Sequence, residues 1–354
     1  MNEPLLRRLT EAHGVPGQED AIRTIVRDEL KGLCDFSIDT MGNLICLKKA
    51  TEKPKKGDPK KLMIAAHMDE IGFLVKFIDN DGFLRIQPLG GWDPRQMASQ
   101  RVFVHTENGP VNGVLMASQK PKHMLSPEEM NKALQIDNFF VDVGMSGDEA
   151  KKKVARGDMV TMNRTFQRMG KLATCKCMDD RVAVYTMIEA MKAAKKHSVD
   201  IYGVATVQEE IGLRGAAASG WAIKPDICIA IDITLANDIP GIPEQDQVTK
   251  LGEGTAIKIM DSSLICHPKV VAHFKDLAKK HKIKYQMEVL PLGGTDAGGV
   301  QRLHGGVPAF TLSIPARYVH TVNETVHEDD VDASVDLLRR YIEDAHEGRY
   351  EYDA

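Results

Sequence analysis

Residues 62–69 read LMIAAHMD, an apolar run that ends in a histidine and an aspartate. A short run without polar alternation is typical of a strand buried on both faces, as in a parallel sheet covered by helices. Similar runs follow at 201–207, 227–231 and 308–314, and helical patterns such as 268–281 stand between them. This alternation predicts an α/β fold with a mostly parallel central sheet and helices on both faces.

Apolar residues at helical spacing mark both ends of the chain. Residues 5–30 predict helical structure with a turn at 14–17, and a last helix would pack inward through Val331, Val335, Leu338 and Ile342. The lysine-rich segment 48–61 also carries proline and glycine, which is typical of a solvated loop.

The sequence between residues 72 and 171 has a different texture. Turn signals at 80–82 and 108–109 separate short apolar runs, which predicts a compact, barrel-like β-rich domain. One helix is expected inside it, because Ser146 and Glu149 have the spacing of a capping box. Since the α/β pattern stands on both sides, this block is interpreted as an insertion. The predicted domains are one discontinuous α/β domain, 1–71 with 172–354, and an inserted domain, 72–171.

Composition excludes several classes of protein. With 46 basic and 50 acidic side chains, the net charge is −4, so the chain lacks the excess of basic residues that is typical of nucleic-acid-binding proteins. The chain has no secretory signal at its start and no run near the roughly 20 apolar residues of a membrane span, so a cytoplasmic location is expected. Six cysteines without a CxxC pair indicate reduced thiols, not a disulfide framework or a thiolate zinc site.

Histidines and carboxylates follow the buried strands at the edge where ligands gather in open α/β sheets. Taken singly, each has an ordinary explanation as a helix cap, an exposed turn or a core histidine. Together they are costly to place at strand ends without partners. The residues concerned, at strand ends or directly before a helix, are His67, Asp69, Asp179, Asp180, Glu209, Glu210, Asp232 and His320.

So many acids at close quarters require positive charge, because neighbouring carboxylates raise each other's pKa. A mixed imidazole and carboxylate set suits zinc, cobalt or manganese. Two such ions about 3.5–4 Å apart would share a carboxylate and ionise a water between them. A glutamate beside the ions but not bound to them would serve as general base. These residues therefore predict a site for two divalent metal ions.

Six stretches resemble the tetrahedral, or TET-type, dinuclear metal aminopeptidases, metallopeptidase family forty-two, which includes glutamyl and deblocking aminopeptidases. The resemblance runs in the family's order and covers nearly the whole chain. Ala183 departs from it by replacing an expected glycine, and Gly299 and Val300 vary the segment after Asp296. The matching stretches are HMDEIGF (67–73), MDDRVA (178–183), TVQEEIGLRGA (206–216), AIDIT (230–234), GGTDAGGVQ (293–301) and RYVHT (317–321).

The resemblance implies an enzyme that removes N-terminal residues from peptides by attack of a water that bridges two metal ions, most often zinc or cobalt, with manganese also possible. Glu209 would be the general base, and Asp69 would orient His67. Spacing alone does not separate Asp179 from Asp180, but the resemblance gives Asp179 as the bridge. The implied ligands are Asp179 for both ions, His67 and Asp232 for one, and Glu210 and His320 for the other.

The resemblance also implies that the inserted domain forms dimers, which assemble into a tetrahedral dodecamer that admits only peptides. A metal-dependent carboxypeptidase or deacylase would use the same kinds of metal ligand, but such an enzyme usually has its second domain after the Glu-Glu motif. A glycoside hydrolase would need neither histidine nor metal. A non-catalytic chaperone or scaffold would not need a complete ligand set. The preferred first residue stays open among acidic, basic and apolar side chains.

Overall fold

The computed structural model describes residues 1–352; residues 353 and 354, the last two of the predicted α/β domain, lie outside the described residues. The helices are α1 (Glu3–Glu11), α2 (Asp20–Glu29), α3 (Pro94–Met97), α4 (Pro127–Met130), α5 (Gly147–Lys153), α6 (Met178–Ala193), α7 (Arg214–Ile223), α8 (Pro268–His281), α9 (Asp296–Gln301) and α10 (Glu328–Asp344). The strands are β1 (Asp35–Ile38), β2 (Leu44–Lys48), β3 (Lys60–His67), β4 (Gly72–Ile78), β5 (Leu84–Leu89), β6 (Gln100–Thr106), β7 (Gly109–Ala117), β8 (Phe139–Asp142), β9 (Met159–Met162), β10 (Gln167–Met169), β11 (Leu172–Cys175), β12 (Val199–Thr206), β13 (Ile227–Leu235), β14 (Thr255–Met260), β15 (Tyr285–Val289), β16 (Ala309–Arg317) and β17 (Glu324–His327).

A mixed eleven-stranded sheet forms the centre of the α/β part, in the order β1-β2-β12-β3-β13-β16-β17-β11-β10, with β14 attached through β16 and β15 through β14. The four strands β12, β3, β13 and β16 are mutually parallel. The strands toward both edges pair antiparallel. The predicted α/β class is therefore confirmed, with the parallel order concentrated in the central strands.

Helices cover both faces of this sheet. A Cβ added at Gly203 of β12 would meet Met191 of α6, whereas Thr206 of the same strand bonds to Asp296 of α9. Because these two positions are an odd number of residues apart, they point to opposite faces of the strand. Thus α6 and α9 lie on opposite sides, as the sequence predicts.

The segment between β3 and β10 contains a closed six-stranded barrel in the order β4-β5-β8-β7-β6-β9. Its core, which includes Phe73, Val102 and Val141, is separate from the core beneath the large sheet. The predicted capping box of α5 is present, since Ser146 and Glu149 bond reciprocally. The barrel confirms the predicted β-rich insertion, although α3 and α4 add two short helices to the single one expected. The domain limits stay a prediction.

Several sequence-based expectations have sharper bounds in the structure. The lysine-rich loop is shorter than 48–61, because Lys48 ends β2 as a buried residue and its Nζ donates to two carbonyls of α6 and its C-terminus. The predicted helix at 268–281 is confirmed as α8. Among residues 1–352, none of the helices combines the length and apolar character that crossing a membrane requires.

Candidate metal centre

The carboxyl ends of the central parallel strands bring the predicted residues to one edge of the sheet. His67 is the last residue of β3, and Glu209 and Glu210 lie in the turn after the neighbouring strand β12. Asp232 lies within β13, which continues to Leu235 and is longer than predicted. His320 follows β16 in a left-handed backbone conformation, φ 58°. Parallel neighbours thus place side chains from distant segments within reach of one another.

Asp179 lies between the two histidines. Its Oδ1 is 3.2 Å from Nε2 of His67, and its Oδ2 is 3.4 Å from Nε2 of His320. Glu210 Oε2 is also 3.4 Å from Nε2 of His320. The ligand atoms of Asp179, Glu210 and His320 form one compact group, and Asp179 belongs to a second group with His67 and Asp232. One carboxylate therefore faces two potential cation positions.

Asp180 is the neighbour that spacing could not separate from Asp179. Both have non-helical backbone angles, so the regular part of α6 begins after them. The carboxylate of Asp180 joins the group of His67 and accepts the backbone N–H of His67 through Oδ2 at 3.3 Å. It is absent from the group formed by Glu210 and His320 among the described residues. This placement favours Asp179 as the shared ligand.

Asp69 supports the site in a way that differs from the expectation. Its carboxylate accepts the backbone N–H groups of Glu209 and Glu210, at 3.0 and 3.1 Å. The hydrogen-bond partner of His67 Nδ1 is the carbonyl oxygen of Asp69 at 3.0 Å, while its carboxylate lies 3.6 Å away. Asp69 thus contacts the His67 ring through its main-chain carbonyl and bonds the main chain of the Glu-Glu turn through its side chain.

Glu324 is a residue of the site that the sequence reasoning missed. It is fully buried, and its two oxygens accept the backbone N–H groups of Asp179 and His320, each at 2.8 Å. A glutamate at the start of a strand gives no signal of such a role. Only its position four residues after His320 could have drawn attention to it.

Three further buried side chains, those of Asp296, Cys175 and Cys177, form hydrogen bonds within the protein. Asp296 is buried beside the site and accepts a hydrogen bond from Thr206 at 2.5 Å. Cys175 and Cys177 are buried, and both thiols donate to the carbonyl of Thr10. All six cysteines are free, as expected.

The pKa values of the clustered side chains reflect their burial and the repulsion between neighbouring carboxylates. Burial, together with the charge of Asp179, raises the pKa of Glu210 to about 8. Burial also raises the pKa of Glu209 and of Asp232 well above the usual range. Burial alone would lower the pKa of His320, but Glu210 and Asp179 outweigh it and raise it to about 10. Glu209, Glu210 and Asp232 therefore favour their protonated forms unless another positive charge stabilises the carboxylates. At Asp179, burial is outweighed by hydrogen bonds from His320 and His67, which lower its pKa.

The residues present fit divalent cations. Oxygen atoms of Glu210 and Asp180 are buried without a hydrogen-bond partner in the protein, which is costly unless something else satisfies them. Two imidazoles among carboxylates form the donor set that zinc, cobalt and manganese accept. Within each of the two groups, the ligand atoms lie within 4.8 Å of one another, which is close enough for a single ion to bind them after small side-chain movements.

The cluster opens into a cavity of about 490 Å³, within the roughly 300–1,000 Å³ typical of ligand sites. Glu209 reaches this cavity from the side of His67, with its Oε2 3.8 Å from Nε2 of that histidine. It belongs to neither group of potential cation ligands among the described residues. Glu209 therefore faces the cavity without belonging to either group of potential cation ligands.

Comparison with known proteins gives a consistent picture. The family model described as M42 glutamyl aminopeptidase matches residues 42–337. The lysyl aminopeptidase of Pyrococcus furiosus is 38% identical, covering 96% of each chain. The glutamyl aminopeptidase of Lactococcus lactis subsp. cremoris is 31% identical, covering 95% of this chain and 94% of that protein.

Solved structures of similar proteins match nearly the whole chain. An aminopeptidase of the archaeon Desulfurococcus kamchatkensis has a TM-score of 0.90 at 40% identity, covering 96% of this chain and 94% of that one. The TET1 peptidase of Pyrococcus horikoshii, which can assemble into a tetrahedron or a large octahedral shell, has a TM-score of 0.85 at 30% identity, with 96% and 98% covered. A structure described as an endoglucanase of Thermotoga maritima has a TM-score of 0.78 at 30% identity, with 96% and 97% covered.

Proposed function

The chain belongs to the M42 glutamyl aminopeptidase family, and from that premise we propose that it is a two-metal aminopeptidase with Glu209 as general base. Family membership makes it a peptidase, and the resemblance to TET-type aminopeptidases is confirmed. The observation that carries the finer proposal is the position of Asp179, whose two oxygens face two different histidines. That arrangement is what a shared ligand between two ions requires.

We assign one cation position to His67, Asp179 and Asp232, and the other to Asp179, Glu210 and His320. Asp180 is a further candidate at the first position, because it belongs to the same group of ligand atoms. When bound, two divalent ions would supply Lewis-acid activation of the attacking water and of the scissile carbonyl. The ligand set leaves zinc, cobalt and manganese open.

Glu209 would accept a proton from the water as its oxygen attacks the scissile carbonyl carbon. As the C–N bond breaks, the same carboxyl group would return that proton to the leaving amine. The two hydrogen bonds from the Glu209-Glu210 main chain to Asp69 hold the base in place. Burial raises the pKa of Glu209, which favours return of the proton to the amine, whereas the positive charge of bound ions would favour the ionised form that accepts the proton first.

The relative described as an endoglucanase raises glycoside hydrolysis as the other candidate. That reaction needs two carboxyl groups and no metal in most enzyme families. Here both histidines lie among the carboxylates, with imidazole nitrogens 3.2–3.4 Å from Asp179. The imidazoles at this distance favour the peptidase.

We also propose that the barrel mediates dimer formation within a larger particle, as the shell-forming relative suggests by analogy. A dodecamer that admits only peptides is the assembly expected from the resemblance. The cytoplasmic location stays a prediction.

Hydrolysis of aminoacyl-p-nitroanilides with and without a chelator tests the function. We expect activity to disappear on chelation and to return with zinc, cobalt or manganese. An N-acetylated substrate should resist cleavage, because an aminopeptidase requires a free amino group. Activity that survives complete metal removal, or cleavage of a soluble cellulose derivative in place of the aminoacyl substrates, would contradict the proposal.

A further inference from the structure

The wall of the catalytic cavity is mainly apolar beyond the ionisable cluster. Four segments supply its apolar side chains: the turn after β12, the end of β13, the loop that follows β15, and the residue before His320. Ile233 and Leu290 are less than a tenth exposed, whereas Leu292 is 74% exposed at the mouth. The apolar lining residues are Leu213, Ile233, Leu235, Leu290, Leu292 and Val319.

This wall offers no countercharge to a charged substrate side chain. Within residues 1–352, no lysine or arginine lines the cavity, and the acidic lining residues all belong to the ionisable cluster. An acidic first side chain would therefore find no lysine or arginine in this wall to pair with. A basic one would find only carboxylates that the cluster itself uses.

A buried ion pair lies behind the wall. Lys258 bonds to Glu288 and lies 3.7 Å from Asp261, and all three side chains are fully buried. Thr234, which lines the cavity, donates its hydroxyl hydrogen to Glu288 at 2.7 Å. Because Lys258 is held by these two carboxylates and does not line the cavity, the polar group that reaches the wall at this point is the uncharged hydroxyl of Thr234.

We propose that this cavity selects peptides whose first residue has an apolar side chain, such as leucine or methionine, over acidic and basic ones. The inference rests on the proposed aminopeptidase function and adds its substrate class. The relatives named for glutamyl and for lysyl residues differ in the sign of the charge, so the family does not fix this preference. A charged side chain loses its hydration in an apolar cavity without gaining a partner.

A matched set of dipeptide amides, assayed on metal-reconstituted enzyme, tests the preference. Leu-Ala, Met-Ala, Glu-Ala and Lys-Ala amides vary the first residue, and Ala-Leu, Ala-Glu and Ala-Lys amides vary the second. We expect kcat/KM for leucyl and methionyl substrates to exceed that for glutamyl and lysyl ones by at least about tenfold. A glutamyl or lysyl optimum, or selection only at the second residue, would overturn the preference while leaving the aminopeptidase function intact. No hydrolysis of any dipeptide would overturn both.

A variant at the mouth locates the selecting wall. Leu292→Lys adds a cation where the side chain is already exposed, so folding should be preserved. We expect the glutamyl-to-leucyl ratio of kcat/KM to rise about two- to fivefold, the range of an exposed ion pair. Val289→Lys is the control, because Val289 is 57% exposed and does not line the cavity. An unchanged ratio in folded Leu292→Lys, or an equal rise in the control, would refute contact between this wall and the first side chain.

Discussion

Glu209 and Glu210 are sequence neighbours whose side chains have different surroundings. Glu210 contacts His320 within a group of potential ligands, whereas Glu209 belongs to no such group among the described residues. We therefore expect Glu209→Gln to keep both metal ions and to lose about 10²–10⁴-fold in kcat, the usual contribution of a general base. Metal content by elemental analysis and steady-state kinetics check this. Glu210→Gln is the matched control and should lose metal; metal loss in Glu209→Gln instead would make Glu209 a ligand.

Glu324 holds the site through main-chain hydrogen bonds alone. Replacing it by glutamine puts an NH₂ group where one of its two oxygens accepts the N–H of Asp179 or His320. We expect Glu324→Gln to weaken metal affinity by about 10–100-fold, as partners of metal ligands typically do. Titration with a metal-competing dye measures the change. Glu253→Gln, which removes an exposed partner of Lys284, should leave the affinity unaltered.

The raised pKa of Glu210 predicts how metal-free stability depends on pH. Folding moves this pKa from 4.5 to about 8, so the fold favours the protonated form. Its contribution to stability is complete below pH 4.5 and is lost as pH rises through 8. His320, raised from 6.5 to about 10, acts in the same direction at higher pH.

We therefore expect the thermal midpoint of chelated protein, measured by calorimetry, to decrease as the pH rises from about 5 to 8. Metal-loaded protein should fall less, because bound cations stabilise the ionised carboxylates. The same measurement on chelated Glu210→Gln gives the contribution of Glu210 to this pH dependence, because an amide does not titrate. An equal slope in wild type and this variant would exclude Glu210 as the cause.

Helices and strands could be predicted from the sequence where their apolar residues form a clear local pattern. The run at 62–66 indicates β3 because both faces of that strand are buried. Four-residue β1, largely exposed at the sheet edge, has no such pattern and was not predicted. Ligands at strand ends follow from parallel topology, but the role of Glu324 does not, because only the fold brings it to the distant Asp179 whose N–H it accepts.

The junction of β12 and α7 shows how close packing positions the Glu-Glu turn. A Cβ at Gly215 would lie 2.4 Å from the carbonyl oxygen and 2.7 Å from the nitrogen of Val207, so backbone atoms would have to move. We expect Gly215→Ala to destabilise the protein by about 1–3 kcal/mol and to lower kcat by displacing Glu209. Chemical denaturation and kinetics measure both effects. Gly299→Ala, whose closest contact would be 3.2 Å, should be far milder; equal losses would contradict this account.

In the whole molecule, the segment that contains the barrel also forms part of the candidate metal centre. Gly91, between β5 and β6, lines the cavity, and a Cβ there would lie 3.1 Å from Nδ1 of His320. A Cβ at the neighbouring Gly90 would likewise lie 3.1 Å from Oε2 of Glu210. Deleting residues 72–171 should give small species, yet it would also remove this wall. Point substitutions on the outer surface of the barrel therefore separate assembly from catalysis better than deletion does.

Strand β7 carries the residues for that test. Val114 and Met116 are two positions apart, so they share one face of the strand, and they are 43% and 37% exposed. Exposed apolar side chains on a barrel surface favour association, and two lysines there would have to be desolvated in an interface. We expect the double variant Val114→Lys, Met116→Lys to have a smaller mass by light scattering than wild type, with unchanged circular dichroism. Asn108→Lys adds charge at a hairpin turn without removing apolar surface and should assemble normally. A double variant that keeps the full wild-type mass would mean that this face of the barrel lies outside the interface.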